Sequence, residues 1–166
     1  MKERITRIEI SKEDIKFSAA HFTIFSATER ERLHGHNFAV HVSVDAPVLE
    51  NGMCFSYLEL KERIRRLCRE LDEYTILPMN SPYLECKEEG DLVAVTFDGA
   101  SMYFLRSDTK GLPITNSTVE EYSNYLLNRL LDDDDFVERN DVRRLAVKVA
   151  SGPGQSGSST WLRAGS

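Results

Sequence analysis

The 166-residue chain predicts an α+β fold, an antiparallel sheet with its helices on one face. Three observations carry this. Segments 15–21 and 36–44 alternate apolar and polar residues with the period of a half-buried strand. Segments 56–71 and 118–131 repeat apolar residues at the spacing of an amphipathic helix. A D-G turn between two β-prone runs, and a late β-prone run near the C-terminus, complete the order strand, strand, helix, hairpin, helix, strand.

In IKFSAAHF, Ile15, Phe17, Ala19 and His21 share one face, and Lys16, Ser18 and Ala20 the other. A polar connection, residues 23–33, leads to a second strand with Phe38, Val40, Val42 and Val44 on one face. His36 falls in register with that set, as does His34 if the chain is already extended there. Ser56 and Glu59 fit a capping box. Tyr57, Leu60, Ile64, Leu67, Cys68 and Leu71 then recur at helical spacing, with Lys61, Glu62, Arg65, Arg66 and Arg69 toward solvent. Cys68 thereby reads as core, not as a catalytic thiol. In DLVAVTFDGASMYFL the D-G turn separates residues 92–97 from 102–105, a hairpin.

The second helix starts near residues 116–118, where Ser117/Glu120 and Thr118/Glu121 both fit capping-box spacing, and its buried face is Val119, Tyr122, Leu126 and Leu130. The acidic run at 132–135 opposes the helix dipole and ends the helix by about Leu131. It reads as a solvated turn, with a calcium loop as the alternative. Residues 144–150 form a last strand. SGPGQSGSS reads as a loop before Trp161, and not as a phosphate cradle, because no GK[ST] follows and no helix begins there.

The composition excludes several classes. A net charge of −6 gives no general electrostatic attraction to nucleic acid or an anionic membrane. No run of 18 apolar residues exists, and MKERITRIEI lacks a signal-peptide core. Cys54, Cys68 and Cys86 are odd in number and lack CxxC spacing, which suits a reducing cytoplasm. The expectation is one domain over residues 1–166, cytoplasmic, with no nucleic-acid or membrane partner.

The chemistry concentrates in ERERLHGHNF, residues 29–38. His-x-His on a strand puts His34 and His36 on one face, and pairing with the neighbouring strand brings His21 alongside. Three neutral imidazoles leave one position open on a tetrahedral zinc, as in a catalytic site. Copper, nickel and iron also accept imidazole. The competing reading is three ordinary half-buried histidines. His41 points to the other face. Glu31, three residues before His34, can serve as general base, or be one more exposed charge of the ERER run. Arg30, Arg32 and the metal would lower its pKa, and desolvation would raise it.

FSAAHF followed by HGHNF resembles the 6-pyruvoyl-tetrahydropterin synthase family, which includes the QueD-type carboxy-tetrahydropterin synthases. The likeness extends over nearly the whole chain, through LKERIRRLCRELDEYTILPM, the hairpin and NSTVEE. It implies the tunnelling fold, a four-stranded antiparallel sheet with two helices on one face. It also implies zinc on His21, His34 and His36, and trimers paired into homohexamers with sites at subunit interfaces. Ordinary members carry a catalytic cysteine just before HGH. This chain has none between His21 and His34, and RERLHGH resembles the type III subfamily, in which a glutamate at the place of Glu31 is the base.

The implied activity is a zinc-dependent lyase of pterin metabolism. It would cleave the side chain of 7,8-dihydroneopterin, usually as the triphosphate, to 6-hydroxymethyl-7,8-dihydropterin, a folate precursor. The resemblance further implies Asp72 as a proton shuttle and Glu120, with Thr118, as pterin contacts. Arg30, Arg32 and Lys16 are candidate triphosphate contacts, each reading better as a solvated charge. The chain departs from the family at three places. Glu73 and Tyr74 follow Asp72 where a shuttle histidine is usual, Ser151 stands where a glutamate clamps the pterin edge, and Ser56 replaces an aspartate. The alternatives are a zinc lyase or cyclase acting on a non-pterin metabolite, and a non-catalytic oligomeric binding protein.

Overall fold

The computed structural model describes residues 4–132 and 135–165. Strands β1 (Ile5–Ile10), β2 (Lys16–His21) and β3 (His34–Pro47) precede helix α1 (Tyr57–Leu71). Strands β4 (Tyr74–Pro78), β5 (Glu85–Glu89), β6 (Leu92–Phe97), β7 (Ala100–Leu105) and β8 (Thr109–Leu112) follow. Helices α2 (Val119–Asp132) and α3 (Phe136–Arg139) lead to β9 (Arg144–Gly152) and β10 (Gln155–Leu162). No helix among the described residues is long and apolar enough to cross a membrane.

The long strand β3 organises the main sheet. One edge pairs antiparallel with β2 over residues 34–39 and with β1 over 42–47, while the other pairs with β9 over 39–45. Helices α1 and α2 share one hydrophobic cluster with the apolar face of this sheet. At its centre Phe17 stacks on Phe38 at 5.0 Å, and Tyr122 meets both edge-on at 5.7 and 5.1 Å.

The expected four-stranded antiparallel sheet with two helices is corrected. Among the described residues the protein has a seven-stranded and a three-stranded sheet, and a third α-helix. β4 runs parallel to both β2 and β8. The Gly/Ser-rich segment expected as a loop ends β9, turns at residues 153–154 and opens strand β10, which pairs along β9. Serine and glycine carry little strand propensity, so this strand owes its form to its partner. β1 carries a weak strand signal because its inward residues, Thr6, Ile8 and Ile10, include a polar one, and only Ile10 is fully buried.

The second sheet, in the order β5-β6-β7, is the expected hairpin plus one strand. Asp98 and Gly99 have φ of 47° and 77°, the left-handed pair that a tight D-G turn requires. The sheet's inner face, Val93, Val95 and Phe97, packs on Phe22, Ile24 and Leu77. Of the two expected capping boxes, the Ser56 side chain makes no cap bond, and Glu59 pairs instead with Arg63 and Arg139. At the second helix, Thr118 Oγ1 accepts the Glu121 N–H at 3.3 Å, and Glu121 Oε2 accepts the Thr115 N–H at 2.8 Å. Within the acidic run, residues 133 and 134 lie outside the described residues.

On the uncovered face, Arg7 donates two 2.7 Å hydrogen bonds to the Asp45 carboxylate across the β1–β3 pair. This hydrogen bonding holds the Asp45 carboxyl below its ordinary value of 3.8. The stabilisation is fully present above that value and is lost as pH falls through the lower folded one. Asp45→Asn should therefore flatten the acid limb of the stability curve below about pH 4, read by circular dichroism. An unchanged limb would show the pair to be silent.

Candidate metal centre

The β2–β3 register sets His21 directly opposite His34, and the alternation of β3 brings His36 to the same face. Ring centroids are 4.7 Å apart for His21–His34, 5.3 Å for His21–His36 and 4.9 Å for His34–His36. One nitrogen from each ring lies within 4.8 Å of the others. His21 Nδ1–H donates to the Ser117 carbonyl at 2.8 Å, and His34 Nδ1–H to the Arg32 carbonyl at 2.7 Å. Such bonds from the other ring nitrogen select the tautomer whose Nε2 lone pair is free to ligate. The Nε2 atoms of His34 and His36 stand 3.1 Å apart.

His21 is 5% exposed, and its Nε2 has no hydrogen-bond partner among the described residues. A buried nitrogen without a partner is costly, and an ion shared with the other two imidazoles would satisfy it. The donor set thus fits a metal ion. Burial lowers the His21 pKa, which keeps the ring neutral, as a ligand must be.

Glu31 arrives beside this cluster from the β2–β3 connection. Its N–H donates to the Thr23 carbonyl at 2.8 Å, and its Oε2 accepts the Thr23 N–H at 3.0 Å. The same oxygen is 3.9 Å from His34 Nε2. Burial pushes the Glu31 carboxyl up, but the Thr23 hydrogen bonds and the imidazoles of His34 and His21 outweigh it and hold the group below its ordinary value. Glu31 therefore stands as a carboxylate.

Thr118, Glu120 and Ser151 line the same cavity as the three histidines and Glu31. Ser151 sits where the β9–β10 register shifts by one residue, a bulge that re-aims its side chain. Thr23, Gln155 and Ser156 also line the cavity and were missed in the sequence. The last two lie in the segment read as loop, and recognising β10 would have found them. Asp72 and Glu73 line a separate cleft with Lys16, Ser18 and Arg69. There Asp72 Oδ1 accepts the Ser18 N–H at 2.7 Å. A single chain does not bring these two to the histidines. The Cys68 thiol is buried and pushed up to about 12 by burial, as a core cysteine should be.

Gly157 lets β10 approach the first turn of α2. A Cβ there would stand 2.9 Å from the Glu120 nitrogen and 3.0 Å from the Val119 carbonyl carbon. Backbone cannot yield as a side-chain tip does, so Gly157→Ala should cost about 1–3 kcal/mol and displace Thr118 and Glu120 from the cavity. Thermal unfolding checks the first expectation and ligand affinity the second.

Fold and site together define an α+β protein with a three-imidazole centre, able to hold a metal ion beside an ionised carboxylate. The chain belongs to the 6-pyruvoyl tetrahydropterin synthase family, which residues 9–158 match. The crystal structure of 6-pyruvoyl tetrahydropterin synthase from Plasmodium vivax is similar with a TM-score of 0.92 and 31% identity, over 96% of this chain and 99% of that one. The Plasmodium falciparum synthase gives a TM-score of 0.91 and 26% identity over the same shares. A Methanocaldococcus jannaschii protein, provisionally named a 6-carboxy-5,6,7,8-tetrahydropterin synthase, is 23% identical over 85% of this chain and 86% of its own.

Proposed function

We propose that this protein is a zinc-dependent lyase that cleaves the side chain of 7,8-dihydroneopterin, as its triphosphate, to 6-hydroxymethyl-7,8-dihydropterin. The observation that carries the reading is Glu31, an ionised carboxylate held by Thr23 at 3.9 Å from an imidazole of the three-histidine centre. The absence of a cysteine between His21 and His34 supports the type III assignment. So does the solution of the Plasmodium vivax synthase with a catalytic glutamate changed to alanine and to cysteine.

Bound by His21, His34 and His36, zinc would polarise the substrate's side-chain hydroxyls. Glu31 takes the proton from the hydroxyl of the carbon that becomes the aldehyde. Oε2 is held by the Thr23 N–H, and Oε1 makes no hydrogen bond among the described residues. As the carbon–carbon bond breaks, its electron pair moves to the pterin-side carbon, which is then protonated. The products are the hydroxymethyl pterin and a two-carbon aldehyde carrying the phosphates. Thr118, Glu120 and Ser151 bind the substrate from the cavity wall. Asp72 and Glu73 serve as proton shuttle from a neighbouring copy in a homohexamer, a dimer of trimers. The reading includes a single domain over residues 1–166 and a cytoplasmic location.

Zinc-loaded protein incubated with dihydroneopterin and its triphosphate, followed by mass spectrometry for the hydroxymethyl and pyruvoyl products, tests this. Hydroxymethyl product supports it. Failure to form either product with zinc bound favours the second reading, a zinc lyase or cyclase on a non-pterin metabolite. Ser151 favours that reading, because a neutral hydroxyl offers a ligand's N–H donors less than a carboxylate does.

A further inference from the structure

Arg30, which reads from sequence as a solvated charge, is half-buried. Its guanidinium carbon lies 5.0 Å from the Phe22 ring centroid and 5.6 Å from that of Phe97, within cation–π range of both. One ring belongs to the residue after the candidate ligand His21, and the other to β6 of the three-stranded sheet. Nη1 donates to the Glu31 carbonyl at 2.7 Å, and Nη2 reaches Met102 Sδ of β7 at 3.6 Å. An arginine fork can hold such contacts at once because its donors are planar and fixed.

The rest of the loop is tied down in the same direction. Asn116 pairs with both backbone groups of Ile24 and accepts the Ser117 N–H. Thr23 and Glu31 bond each other reciprocally. The loop has thus one fastening to the segment before α2 and one, through Arg30, to the small sheet.

We infer that Arg30 is a positioning residue for Glu31, with the three-stranded sheet as the support to which it is fastened. This rests on Glu31 being the base. A carboxylate bonded through a single backbone N–H can swing unless its own main chain is fixed. Besides the Glu31 N–H bond to the Thr23 carbonyl, the bond from Arg30 to the Glu31 carbonyl supplies a second main-chain fixation, from a packed apolar cluster, and misplacement by an ångström suffices to cost about 10²-fold in rate.

The test uses the zinc-loaded full chain with Arg30→Met, Arg30→Lys and Phe97→Leu. Arg30→Met should lower kcat by about 10²-fold, with KM, zinc content and melting temperature close to wild type. Hydrogen exchange of the Thr23 and Glu31 amides, which report the reciprocal bonds directly, should accelerate at those positions. Arg30→Lys keeps the cation and a donor group but not the planar fork, and should recover part of both losses. Phe97→Leu removes one ring and should shift both readouts in the same sense, which covers the case in which Arg30→Met fails to fold. Unchanged exchange at Thr23 and Glu31 in a folded variant overturns the inference, as does accelerated exchange with unchanged kcat. A wild-type protein inactive on both pterins, with exchange accelerated in the variants, sinks the pterin reading and leaves the hold of Arg30 on Glu31 standing. Inactivity with unchanged exchange sinks both.

Discussion

Glu31→Gln should lower turnover by about 10²–10⁴-fold, the range general-base catalysis contributes, while zinc stays bound. Glutamine keeps the shape of the side chain, and its carbonyl oxygen can still accept the Thr23 N–H that holds Oε2 at 3.0 Å. What disappears is basicity. Two of the imidazoles keep their own partners, since His21 and His34 are oriented by the Ser117 and Arg32 carbonyls and not by Glu31. Steady-state kinetics beside metal analysis separates the two effects. Full turnover in the variant would remove Glu31 from the chemistry. Joint loss of zinc and activity would make it a ligand instead.

Zinc affinity should fall by more than about 100-fold in His21→Ala, because loss of even an outer-shell partner costs 10–100-fold. Of the three imidazoles this one is the most deeply buried, at 5% exposure, with Phe38 5.2 Å away edge-on. Truncation also strips the Ser117 carbonyl of its donor and leaves a void over Tyr122. The metal-free protein should lose about 2–4 kcal/mol on these two grounds. Competition against a chelator measures the affinity and denaturant unfolding the stability. His41→Ala is the control, since His41 faces the other side of the sheet and bonds Ser11 at 2.5 Å. Zinc retained at wild-type affinity by His21→Ala would dismantle the centre as described.

Much of the fold was legible where periodicity and strong hydrophobicity coincide. The alternation of Phe17, Ala19 and His21 with that of His36, Phe38 and Val40 is reproduced by β2 and β3 and their register. The apolar stripes of α1 and α2 are likewise buried as expected, Tyr57 and Val119 only partly. ECKEE of β5 and TKGL of β8 carry no such signal. They are strands because a partner satisfies their backbone groups, and local pattern says nothing about a partner distant in the chain.

The shared face of His34 and His36 follows from the sequence by itself, because a strand's period of two is local geometry, whereas Glu31 is set beside it by Thr23 and Arg30. The cavity wall was decided only by tertiary structure. Ser151 and Gln155 meet Glu120 there because β10 pairs with β9 and because Gly157 admits the first turn of α2. Tertiary structure also turned Arg30 from a surface charge into a wedge between Phe22 and Phe97. A guanidinium's role depends on which rings close around it, and those rings lie 75 residues apart, one just past β2 and the other in β6.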